Sequence, residues 1–141
     1  MNHIWSILCQ SSSIDEETKL LSIFNCLEQG EITTQKKNAG SNDKVVIPTP
    51  FELISFWAVD EGDKKNSRLE IKIEIIDPNN VLLNSIDNSF DIKEKSLRFR
   101  SRIKFQELTL TENGRYYFKV SQKYQSEFKI VASLPLDIKL L

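Results

Sequence analysis

Four cations at alternate positions, Arg98, Arg100, Arg102 and Lys104, are the sharpest chemical feature of the sequence. In an extended chain such residues share a face at a spacing of about 6.6 Å. Guanidinium forks held that way bind phosphate, sulfate or carboxylate groups in pairs. The intervening residues Leu97, Phe99, Ser101, Ile103 and Phe105 fall on the opposite, mostly apolar face. The ladder is therefore either a binding surface for a carboxylate-rich partner or a solvated outer face. A solvated face would be matched by acids of a neighbouring strand, with Glu70 and Glu74 in view. No aromatic residue interrupts the basic face, and single-stranded nucleic acid needs such stacking platforms. Nineteen Lys+Arg against twenty Asp+Glu leave a net charge of −1, which also argues against a nucleic-acid partner.

Other chemistry finds less support. The single histidine, His3, rules out a multi-histidine metal site and leaves one imidazole base. On a regular strand His3 shares a face with Trp5, Ile7 and Cys9, and stands about 20 Å from the Cys9 thiol, too far to activate it. Four glycines in no clustered pattern leave no phosphate-cradling loop. Acids recur at Asp15, Glu16 and Glu17, at Asp60, Glu61 and Asp63, and at Asp87 and Asp91. Alternating strand direction brings those connections to one end, where oxygen-rich loops build Ca²⁺ sites. Lys64, Lys65, Lys93 and Lys95 lie in the same connections and offset the charge. The expectation is a chain with no catalytic residue, no metal and no cofactor.

The elements that position these residues are strands. Leu69 to Ile75 alternates strictly between apolar and charged residues, as a half-buried strand does. Asp77-Pro78-Asn79-Asn80 then reads as a turn, since Pro presets φ and Asn tolerates the left-handed region. The same period governs 97–105 and resumes after Asn113-Gly114, with Tyr116, Phe118 and Val120 on one face. Less regular apolar runs complete a set of about eight strands: 3–9, 19–28, 51–60, 68–77, 81–87, 97–107, 114–122 and 126–139. The run 19–28 is apolar on both faces and reads as a central strand. Pro135 belongs at an edge or bulge, because it has no N–H for the ladder. Residues 29–50 form a long polar link, either a plain insertion or a binding loop.

Many short strands in one chain of 141 residues predict one all-β domain spanning 1–141, an immunoglobulin-like antiparallel β-sandwich of seven to nine strands. Leu108 to Tyr116 has the form of a tyrosine corner, with Leu108 and Leu110 beneath it and Gly114 in the turn. Trp57 is the core tryptophan of the third strand. Cys9 and Cys26 are too few for a disulfide scaffold. They either pair across neighbouring strands or are two small buried thiols. There is no basic residue before Lys19 to mark a leader, and no apolar run long enough to span a membrane. The expected compartment is the cytoplasm.

Three stretches carry a resemblance: HIWSILC with KLLSIFNCLE, then RLEIKIEIIDPNNVLL, then NGRYYFKVSQKYQSEFKIVASLPLDI. Together they resemble a family of small bacterial immunoglobulin-like domains of unknown function. The likeness covers nearly the whole chain except 29–50, and departs from the pattern in carrying Asn80 where Gly is common. It implies a fold and supplies no catalytic residue. The functional expectation is a non-enzymatic interaction module that binds a protein partner, through Arg98, Arg100, Arg102 and Lys104 and the loop 29–50. Self-association is compatible with it. The alternative is a ligand-binding sandwich for carbohydrate, an anionic headgroup or a metal. For carbohydrate the aromatics would be Trp5, Trp57, Tyr116, Tyr117 and Tyr124, of which Tyr117 should be exposed.

Overall fold

Alternating sequences form sheets because one face of each strand can be buried while the other meets water. The computed structural model describes residues 1–27, 31–34, 45–47, 50–60, 68–93, 96–110 and 112–140. Among them there are eleven strands and no helix: β1 (Asn2–Ile14), β2 (Leu21–Cys26), β3 (Glu31–Thr34), β4 (Val45–Ile47), β5 (Phe51–Ala58), β6 (Arg68–Ile76), β7 (Leu82–Asp91), β8 (Arg98–Phe105), β9 (Leu108–Leu110), β10 (Gly114–Tyr124) and β11 (Glu127–Leu140). No helix of the described residues is long and apolar enough to cross a membrane.

Two sheets carry the fold. The first has the order β2-β1-β5-β8 and is antiparallel. The second has the order β3-β11-β10-β6-β7, antiparallel except where β3 runs parallel to β11. The short strands β4 and β9 pair separately. The chain crosses between sheets from β2 to β3, returns before β5, and crosses again from β5 to β6, from β7 to β8, and before β10. This interleaving of hairpins and crossovers is the immunoglobulin-like sandwich.

The inner faces meet in an aromatic cluster. Phe51 and Phe105 stack at 4.8 Å in the first sheet, and Phe118 of the second meets them edge-on at 5.6 and 5.8 Å. Leu53, Trp57, Ile71, Ile73, Ile75 and Val120 extend the seal. Each such side chain contributes about 1.5–3 kcal/mol when removed from water.

The local motifs hold. Trp57 is fully buried. Asn80 has φ 65° and Gly114 φ 133°. The Asp77 carboxylate accepts the Asn79 and Val81 N–H groups at 2.9 and 2.7 Å, closing the turn. A Cβ on Gly114 would come within 2.9 Å of Pro78, so glycine is demanded there by both backbone angle and space. Pro135 lies in β11 outside the Asp137–Leu140 stretch that β3 covers, an edge position.

Several expectations need correction. The run 19–28 is not a central strand: its strand is β2, Leu21–Cys26, at the edge of the first sheet, pairing only with the far half of β1. Its two apolar faces reflect a hairpin lying against the first sheet. Residues 29–50 contain β3 and β4, and 28–30, 35–44 and 48–49 lie outside the described residues. The first strand extends to Ile14 and the fifth of the expected set to Asp91.

The tyrosine corner gives a direct test. The Tyr116 hydroxyl donates to the Glu112 carbonyl at 2.6 Å and accepts the Glu112 N–H at 3.2 Å. With Tyr116 fully buried, Tyr116→Phe removes both bonds and should lower unfolding stability by about 1–2 kcal/mol in denaturant titration.

Candidate functional site

The first sheet turns two different faces to its surroundings. Leu53, Ser55 and Trp57 of β5 point into the core, so Glu52, Ile54 and Phe56 point outward. Register carries the outward set to Arg98, Arg100, Arg102 and Lys104 on β8, and to Trp5, Ile7 and Cys9 on β1. Yet Cys9, Glu52 and Ile54 are buried on this outer side. The β1–β2 hairpin lies against them, and the ladder holds it there. Arg100 donates to the Lys19 carbonyl at 2.7 Å, and Arg102 to the Ser12 carbonyl at 3.4 Å.

Glu52 is the centre of this contact. Its carboxylate accepts a hydrogen bond from the Ser12 hydroxyl, with Arg102 Nε at 3.8 Å and Lys104 Nζ at 4.0 Å. The acid opposite the ladder is thus Glu52, and the expectation of Glu70 and Glu74 is overturned. Those two lie on β6 in the other sheet, where Glu70 pairs with Lys123 at 3.5 Å. The ladder is divided: Arg100 and Arg102 bind the hairpin, whereas Arg98 and Lys104 are exposed.

Between the hairpin and β8 lies an open cavity of about 280 Å³, lined by Trp5, Lys19, Leu20, Leu21, Phe56, Arg98, Phe99 and Arg100. Trp5 and Phe56 stack with centroids 5.7 Å apart. Leu20 is 69% exposed beside them. The groove therefore joins an apolar aromatic surface to three cations, Lys19, Arg98 and Arg100. That combination holds apolar side chains and carboxylates together. Only Arg98, Arg100 and Trp5 were legible as site residues. Lys19 and Leu20 carry one faint signal, an apolar run at 19–28 too rich for the surface it covers, whereas Phe56 lies in the run 51–60 and has none.

His3 is not on the face of Trp5, Ile7 and Cys9. A bulge between His3 and Trp5 inserts Ile4, which is exposed, and turns His3 inward. Its ring meets Trp57 edge-on at 5.0 Å, and its Nε2 lies 2.7 Å from Ser6 Oγ, which lies 2.6 Å from Ser55 Oγ. Trp57 Nε1 donates to Ser101 at 3.1 Å, so the inner face carries a small polar patch at this end.

Among the described residues the acids expected at one end do not form a cluster. The Asp15 carboxylate caps its own turn, and hydrogen bonds from Thr18 first and then from the Glu17 N–H lower its pKa, while Asp87 and Asp91 lie within β7. Glu61 and Asp63 lie outside the described residues. Among the described residues no group of three His, Cys, Asp or Glu stands close enough to hold a metal. Cys9 and Cys26 do face each other across β1 and β2, both as free thiols. Cys9 is buried and its pKa is pushed up to about 11, first by desolvation and then by Glu52, while Cys26 is exposed.

Fold and groove together define an immunoglobulin-like sandwich whose first sheet bears a basic, aromatic outer face. No family model matches the chain, and no curated protein matches its sequence.

Removing Arg102 leaves the buried Glu52 carboxylate to Ser12 and the more distant Lys104. Arg102→Ala should therefore cost about 2 kcal/mol of stability, measured by denaturant titration. Burial lowers the His3 pKa below its ordinary 6.5. The unfolded chain then takes up this proton more readily, so its share of stability is lost as pH falls from that ordinary value to the lower folded one. The thermal midpoint of wild type should fall more than that of His3→Gln between about pH 7 and pH 5.

Proposed function

We propose that the chain is a non-enzymatic interaction module of the bacterial immunoglobulin-like kind, working in the cytoplasm and binding a protein partner. The observation that carries this reading is the groove. Exposed Leu20, the stacked Trp5–Phe56 pair and the cations Lys19, Arg98 and Arg100 line one open cavity on the outer face of the first sheet. Apolar surface rimmed by cations is the composition of a protein-docking patch, with the aromatic as anchor. The cytoplasmic assignment rests on cysteine usage, since two cysteines do not make a secreted disulfide scaffold.

The carbohydrate alternative draws less support. Trp57 and Tyr116 are buried, and Tyr117 lies on the outer face of the other sheet from Trp5. Trp5 and Tyr117 therefore do not share one platform.

The test is capture from a lysate of the source cells, with the purified chain as bait and mass spectrometry as readout. A second bait carries Leu20→Glu and Arg98→Glu, both at exposed positions. A specific protein whose recovery falls at least ~10-fold with the variant supports the reading. Equal recovery of every captured protein overturns it.

A further inference from the structure

Resting on that reading, we infer that the partner contributes an acidic, extended segment that adds to β8 as a further strand of the first sheet. β8 ends that sheet, with β5 as its neighbour on one side. Constant-type immunoglobulin sheets carry one more strand beyond the position β8 occupies. No described residue fills that place.

The peptide groups of β8 divide cleanly. Val59 N–H donates to the Leu97 carbonyl at 2.9 Å, in register with the β5–β8 ladder. Bonded and non-bonded pairs alternate along an antiparallel ladder. Phe99, Ser101 and Ile103 therefore turn their N–H and C=O groups to β5. Those of Arg98, Arg100, Arg102 and Lys104 point to the open side. The residues that carry the cationic side chains are thus the same residues that offer backbone bonds to an added strand.

This coincidence defines the ligand's chemistry. A residue opposite Arg98, Arg100 or Lys104 would share their outer face, where acids are favoured as cross-strand partners. Residues between would lie on the inner side, beside the half-buried Phe99 and Ile103, and should be apolar. The segment recognised is one that alternates acidic and apolar residues over about five to seven positions. Arg98 and Lys104, exposed at the two ends of β8, would grip its ends.

The probe is the peptide acetyl-Glu-Val-Glu-Val-Glu-Val-Glu-amide. Its binding is followed by titration calorimetry and by hydrogen exchange of the β8 amides. Expected are protection of the Arg98, Arg100, Arg102 and Lys104 N–H groups, and a loss of affinity of at least ~10-fold with Arg98→Glu/Lys104→Glu. A peptide N-methylated on alternate residues, unable to pair along one edge, should lose at least ~10-fold. A Lys-for-Glu peptide should not bind.

Equal binding of the N-methylated peptide, or unprotected β8 amides, overturns strand addition while leaving the groove reading intact. Protection of β8 by the peptide, with lysate capture unaffected by Leu20→Glu, overturns the groove reading and leaves strand addition standing. No binding of any peptide overturns strand addition, and the lysate capture then judges the groove independently. Concentration-dependent protection of the same amides without peptide makes a second copy the occupant and overturns the partner assignment.

Discussion

Everything in this molecule depends on the requirement that two sheets bury one face each against the other. The stacked Phe51 and Phe105, met edge-on by Phe118, sit where that requirement is satisfied most densely. With Trp57 and the β6 isoleucines beside them, apolar side chains fill most of the interior, with a small polar patch at one end. Recognition is thereby confined to outer faces, sheet edges and connections. The first sheet goes further and covers part of its outer face with its own hairpin, burying Cys9, Glu52 and Ile54. What stays open beside that cover is the groove.

The hairpin is held by polar contacts over an apolar floor. Glu52 accepts from Ser12 and faces Arg102, while Arg100 and Arg102 reach the Lys19 and Ser12 carbonyls. A buried carboxylate is costly unless partnered, and Ser12, Arg102 and Lys104 supply the partners that let Glu52 stay buried. The same cationic ladder thus serves two ends: its middle binds the chain to itself, and its extremities remain in solvent.

Much of the fold was legible because period two survives any context. Leu69–Ile75, Leu97–Phe105 and Tyr116–Val120 show their faces without knowledge of their neighbours. The tyrosine corner was equally readable, since its bond spans four residues. The illegible parts depend on which strand lies beside which. β3 and β9 are too short to show a period, and β3 gains its place by pairing with β11, far along the chain. The basic ladder was visible but its acid was not, because Glu52 becomes its neighbour only through the β5–β8 register. A single inserted residue, Ile4, reversed the face of His3, and a bulge of that kind leaves no mark in the alternation. The groove joins residues from β1, β2, β5 and β8, so no local pattern announces it.

The opposed cysteines give the hairpin a built-in clock. Cys26 is exposed and open to a maleimide at once, whereas Cys9, its partner across the base of the hairpin, is buried with its thiol held protonated. Modification of Cys9 must await a local opening, and under fast reclosing its rate is the intrinsic thiol rate scaled by the open fraction. The ratio of the two labelling rates therefore reads out how often the base of the hairpin opens once Cys26 carries its adduct, without any engineered probe.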